Sequence, residues 1–140
     1  MIKVELQRVD DAFAFEAKDA ANHIIKFDAA KEIGGNNSGV RPMQTLLMSL
    51  GSCSGIDIVS ILKKQKQTIN SFNIIIEGER EQGKEPALWK YVKVVFKFDG
   101  NVDAEKARKA CALSIDKYCS VAATLRAAGC TIEWEVEVNN

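Results

Sequence analysis

The sequence predicts an α+β fold in a single domain over residues 1–140. Three observations predict it. Several short stretches alternate apolar and polar residues with the period of two that marks a half-buried strand. Other stretches repeat apolar residues at helical spacing. The two kinds succeed one another as β-β-β-α-β-β-α-α-β, with no internal repeat, low-complexity segment or linker.

Strand character begins with Ile2, Val4 and Leu6, which alternate with Lys3, Glu5 and Gln7. Asp10-Asp11 mark a turn, 12–17 alternates around Phe13 and Phe15, and His23 to Phe27 supplies a third short strand. Residues 34–41, Gly-Gly-Asn-Asn-Ser-Gly-Val-Arg, are turn-forming types and predict a loop. Pro42 then opens a helix, since the first turn has no acceptor for the N–H that proline lacks. From Pro42 to about Gln67 the apolar residues Leu46, Leu47, Met48, Leu50, Ile56, Ile58, Val59, Ile61 and Leu62 cover nearly every direction. A helix apolar all round is buried all round, so this one is expected to be wrapped by sheet, by other helices or by a second subunit.

Phe72 to Ile76 and Tyr91 to Phe98 read as paired strands, joined by the charged, glycine-containing connection 81–86. Asp103 is a good N-cap, and Ala107, Ala110, Cys111, Ile115 and Tyr118 recur every three or four residues, which predicts an amphipathic helix over 104–118. Ser120 caps a second short helix ending near Ala128, before Gly129. Thr131 to Val138 closes the order as an alternating strand.

Composition excludes several classes of function. The chain is 46% hydrophobic and 27% charged, too apolar for disorder. Nineteen basic residues balance nineteen acidic ones, so no positive field favours nucleic acid. The stretch Leu46 to Leu62 is interrupted by Ser, Gly and Asp57, and Met1-Ile-Lys-Val-Glu-Leu has no signal-peptide apolar region. A cytoplasmic protein with neither membrane nor nucleic-acid partner is the expectation.

Chemistry rests on four cysteines, which a reducing cytosol would not use as a disulfide framework. Their spacing lacks a zinc pattern and His23 is the single histidine, so no metal is expected. Cys53 lies among Gly51, Ser52, Ser54 and Gly55, which open space around its sulfur or let another element pack closely. Cys119 sits between two helices, where free N–H groups and the dipole favour a thiolate. Arg41, Lys117 and Arg126 are candidate cations for it. Cys111 reads as a core residue and Cys130 as a turn residue. Asp57, one helical turn after Cys53, needs a partner in so apolar a run: an ion pair, or a hydrogen bond positioning a neighbouring element.

Two segments carry a resemblance. Arg41-Pro42-Met43-Gln44-Thr45-Leu46-Leu47-Met48-Ser49-Leu50-Gly51-Ser52-Cys53-Ser54-Gly55-Ile56-Asp57 resembles the central-helix motif of the OsmC/Ohr family, and Asp116-Lys117-Tyr118-Cys119-Ser120-Val121-Ala122-Ala123-Thr124-Leu125 resembles its second cysteine motif. Within the family, Cys-x-Gly-x-Asp and Lys-Tyr-Cys-Ser-Val are most similar to the YhfA-like branch. The resemblance implies an OsmC-like fold: curved antiparallel sheets around long central helices, in an intertwined homodimer with sites at the subunit interface. It implies a thiol-dependent peroxidase of oxidative or osmotic stress defence, acting on organic hydroperoxides or hydrogen peroxide. Cys53 would become a sulfenate and Cys119 would resolve it to a Cys53–Cys119 disulfide. An external dithiol would reduce the pair, and no cofactor would be needed.

On that reading Arg41, Asp57 and Lys117 are candidate supports of the thiolate, and Met43, Met48, Leu50 and Ile56 are candidate pocket residues. One departure stands out. The peroxidase branches carry a glutamate where this chain has Met43, with Gln44 next, and neither residue bears the charge that orients an arginine. The competing reading is therefore an OsmC-like ligand-binding or redox-switch protein that uses the interfacial apolar pocket. A third makes all four cysteines packing residues.

Overall fold

A computed structural model of the chain describes residues 1–139. It contains strands β1 (Glu5–Arg8), β2 (Phe15–Lys18) and β3 (Ile24–Phe27), helix α1 (Pro42–Lys64), strands β4 (Thr68–Arg80) and β5 (Trp89–Asn101), helices α2 (Ala104–Leu113) and α3 (Ser120–Ala127), and strand β6 (Thr131–Asn139). The α+β class and the element order agree with the expectation from the sequence. The chain forms two compact units, Met1–Leu46 and Leu47–Asn140.

In the first unit β1, β2 and β3 make an antiparallel meander. Strand β2 starts at Phe15 rather than Ala12 because the Asp10 carboxylate accepts the N–H groups of Ala12 and Ala14 at 2.9 and 3.1 Å, closing a turn there. The loop before α1 is organised by the buried Asp28. Its carboxylate accepts Ser38 Oγ at 2.7 Å and the N–H groups of Ser38, Asn36 and Ala29. Those bonds, led by the Ser38 hydroxyl, hold its pKa down at about 2. The loop in turn holds Arg41, whose guanidinium donates to Gly39 O at 3.0 Å and Asn37 Oδ1 at 2.8 Å.

In the second unit β4 and β5 form a long antiparallel pair with Phe72 opposite Phe98, Ile74 opposite Phe96 and Ile76 opposite Val94. The inward residues of β5, Val92, Val94, Phe96 and Phe98, are buried, as the alternation requires. Phe72 stacks on Phe98 with ring centroids 4.3 Å apart, and Trp134 meets Phe96 edge-on. Lys93 and Lys97 point to the outer face, 3.5 and 3.6 Å from Glu135 and Glu137 of β6.

One pairing departs from the antiparallel expectation: β6 joins β5 in parallel, Tyr91 opposite Thr131 and Val138 opposite Phe98. The cause is the connection. Two helices separate the strands, long enough to carry the chain back to the end where β5 began.

Helix α1 buries Leu50, Gly51, Ser54, Gly55, Ile58 and Leu62, a stripe at three- and four-residue intervals. Side chains at Gly51 and Gly55 would crowd Ile76 and Ile74, with an added Cβ 3.0 and 3.1 Å from their Cδ1 atoms, so these glycines set the approach of helix to sheet. Within one chain the opposite side is not covered by the sheet: Met48 is 52% and Ile56 71% exposed. By length and composition the 23-residue helix could cross a bilayer. Its buried stripe lies on the sheet, which makes it a core helix of this fold.

Candidate active site

Cys53 projects from the middle of α1, half-buried, packed beside the hydrophobic core. Cys119 arrives from the other side of the same unit. After Leu113 the chain does not continue as a regular α-helix; residues Ser114–Tyr118 make a single π-turn, closed by the Cys119 N–H donating to Ser114 O at 2.7 Å. Such turns insert a residue and re-aim the chain beyond them. Here the turn ends the helix predicted over 104–118 five residues early and leaves Cys119 in extended conformation as the N-cap of α3.

Cys119 is 3% exposed, and its sulfur accepts the Ala122 N–H at 3.4 Å. Burial pushes its thiol up to about 11; the Ala122 N–H opposes this, and a hydrogen bond with Cys53 together with that neighbour's charge adds to the rise. The two sulfurs are thus neighbours, and both are free thiols. Helix-start stabilisation of the Cys119 thiolate, expected from its position, is present but loses to desolvation. Cys119 holds its proton at neutral pH.

A measurable consequence is the pH dependence of labelling. Alkylation of Cys119, read by peptide mass mapping, is expected to rise about tenfold per pH unit from 8 towards 11, with no plateau near the 8.5 of an ordinary thiol. The Cys53→Ser variant removes a contribution that raises the pKa and should move the inflection down. A plateau below pH 9 in the wild type would contradict this environment. Stability depends on the same proton: an unfolded thiol ionises near 9.0 and the folded one near 11, so the stabilisation present below 9 is lost as pH climbs between them.

The candidate supports fall differently from one another. Asp57 accepts a hydrogen bond from Ser114 Oγ at 3.1 Å, so it positions a neighbouring element rather than forming an ion pair. Lys117 is exposed, with its ammonium 5.3 Å from the centre of the Tyr118 ring. Arg41 is engaged by Asn37 and Gly39. Arg126 of α3 grips the π-turn, donating to Ile115 O at 2.7 Å and Asp116 Oδ1 at 2.9 Å.

Among the candidate pocket residues, Met48 and Ile56 are exposed and Met43 is half-buried. Leu50 does not share their surface. Two residues along a helix turn the side chain by about 200°, which points Leu50 away from Met48 and into the core.

Sequence reasoning missed Ser114. It lies on the stripe Ala107, Ala110, Cys111, Ser114, Ile115, and a hydroxyl in a buried stripe was the available signal. Cys111 is fully buried, its thiol pushed up to about 12 by desolvation, and Cys130 is buried as well. Among the described residues no group of three His, Cys, Asp or Glu side chains could hold a metal ion.

Comparison with known proteins agrees with this architecture. The family model described as OsmC-like protein matches residues 35–135. Protein YhfA of Escherichia coli is 36% identical over 132 residues, covering 90% of this chain and 92% of that protein. A crystal structure of a hypothetical protein from Aquifex aeolicus superposes with a TM-score of 0.81 at 32% identity, covering 100% of this chain and 98% of that one. An organic hydroperoxide resistance protein OsmC from Legionella pneumophila has the same fold, with a TM-score of 0.72 at 14% identity over 99% of this chain and 97% of that one. With its fold and its sequence both matched over nearly their whole length, the chain belongs to the OsmC-like protein family.

Proposed function

We propose that this protein is a dithiol peroxidase that reduces organic hydroperoxides or hydrogen peroxide. The observation that carries the reading is the placement of two free thiols as neighbours, one on α1 and half-exposed, the other buried at a helix N-cap. The Legionella relative, named for organic hydroperoxide resistance, points the same way.

The Cys53 thiolate attacks the O–O bond. A sulfur–oxygen bond forms, the O–O bond breaks, and the departing alkoxide or hydroxide leaves with a proton as alcohol or water. Cys119 then gives up its proton as its sulfur attacks the sulfenic acid: the S–S bond forms, the S–O bond breaks, and the hydroxyl departs with that proton as water. An external dithiol reduces the disulfide by two exchange steps, and the Ala122 N–H receives the charge as Cys119 is expelled as a thiolate. No resident cofactor takes part. The exposed apolar residues Leu46, Met48, Ile56 and Val59 along α1 support action as a homodimer, and four free thiols with no disulfide suit a reducing cytoplasm.

Met43, where the peroxidase branches carry glutamate, favours a second reading: an OsmC-like protein that binds a ligand in an apolar interfacial pocket and uses the cysteines as a slow redox switch. Stopped-flow consumption of cumene hydroperoxide and hydrogen peroxide by the reduced protein, with mass mapping of the product, separates the two. Fast consumption ending in the Cys53–Cys119 disulfide establishes the peroxidase. Slow or absent consumption by folded protein overturns it in favour of the switch.

A further inference from the structure

Cys53 and Asp57 are one helical turn apart on α1 and therefore share a face. Across from them, Ser114 and Cys119 are the two ends of the π-turn, tied by the Cys119 N–H to Ser114 O bond of 2.7 Å. The two pairs are matched. Cys53 neighbours Cys119, and Asp57 Oδ2 accepts from Ser114 Oγ at 3.1 Å. The same hydroxyl lies 3.1 Å from Ser54 O, so it spans a backbone and a side-chain acceptor of α1. Ser114 is completely buried, and its one proton is shared between the two acceptors, of which the Asp57 carboxylate carries the charge and is the stronger.

We propose that Asp57 is a positioning residue for disulfide formation: by holding Ser114 it fixes the π-turn against α1 and sets the Cys119 sulfur within bonding reach of Cys53. The carboxylate touches neither sulfur in this role. A disulfide tolerates Cα separations of only about 4.4–6.8 Å, so a turn released from α1 loses coupling even while both thiols persist. Arg126 steadies the far side of the turn, and on the α1 side Asp57 shares the Ser114 hydroxyl with Ser54 O.

The proposal deepens the dithiol reading above, and its test needs no peroxide. Reduced protein is equilibrated in buffers of glutathione and glutathione disulfide. The two thiols give up two electrons to the glutathione disulfide, which leaves as two glutathione thiols, and the protein gains one S–S bond. Alkylation and mass mapping give the oxidised fraction and hence the effective concentration of Cys119 at Cys53.

Asp57→Ala and Ser114→Ala are each expected to lower that concentration about tenfold, with the double variant no lower than either single one. Asp57→Asn keeps an oxygen acceptor and should stay within about threefold of wild type. Alkylation of Cys53 at fixed pH should be equal in wild type and Ser114→Ala, which leaves the charge beside it unchanged. Unchanged coupling in folded Asp57→Ala, or additive losses in the double variant, would overturn the proposal. Asp57→Glu, which keeps the charge and displaces the carboxylate, decides in its place should Asp57→Ala fail to fold: wild-type coupling would overturn the proposal. Wild-type protein that couples strongly but leaves peroxide untouched would sink the peroxidase reading and leave this one standing.

Discussion

Cys53→Ser is expected to reduce peroxide consumption to the buffer background, while Cys119→Ser is expected to consume one equivalent of peroxide per chain and stop. A serine hydroxyl is barely ionised at pH 7 and forms no sulfenate, so the first substitution removes the step that breaks the O–O bond. The second leaves that step intact and removes the thiol that clears its product. The halted protein should carry one added oxygen on Cys53 and go on to the sulfinic acid under excess peroxide. Stopped-flow stoichiometry and intact-mass measurement read both results. Without added dithiol both proteins stop at one equivalent, so the product decides: an intramolecular disulfide formed by the Cys119→Ser variant would show that another thiol resolves the sulfenate. Full consumption by Cys53→Ser would place the chemistry elsewhere.

Phe96→Ala is expected to be the most damaging single core substitution, costing about 3–5 kcal/mol of a total that for a domain this size is about 5–15. Phe96 is completely buried in the central strand of β4-β5-β6, between Phe72 on one side and Trp134 on the other. Removing its ring opens a cavity that neither neighbour can fill without leaving its own contacts. Urea unfolding of the isolated protein should show a lower midpoint at unchanged slope. A loss under about 1 kcal/mol would mean that the aromatic cluster relaxes into the space.

Much of the fold is legible in the order of residues. The start of α1 at Pro42, the cap at Asp103, and the inward set Val92, Val94, Phe96, Phe98 obey local rules, because each depends on neighbours within one turn or one strand, whereas the cap of α3 falls on Cys119 and not on Ser120 because the π-turn leaves Cys119 extended. The apolar coverage of α1 is plain as composition, but which part of it the chain's own sheet covers, the stripe from Leu50 to Leu62, depends on packing that no local pattern states. Parallel pairing of β6 depends on where a two-helix connection delivers the chain, which no local pattern states. The π-turn is invisible for a related reason: Ile115 and Tyr118 continue the apolar spacing of α2, and only the fit of Ser114 against α1 decides that the ladder is broken there. The nearness of Cys119 to Cys53 came from family resemblance, and the partner of Asp57 came from the structure.

Strand β6 is the outermost strand of its sheet, so one row of its backbone groups has no neighbour within that sheet. An exposed strand edge is a template for stacking further copies into aggregates. Glu133, Glu135 and Glu137 stand at every second position along its outer face. A second β6 edge laid alongside would bring glutamates against glutamates down the length of the strand, and like charges directly opposite are repulsive. The lysines of β5 already answer two of these carboxylates from within, so an incoming copy meets their unpaired side. The alternation that builds the sheet thus also sets like charges against a second copy of the same edge.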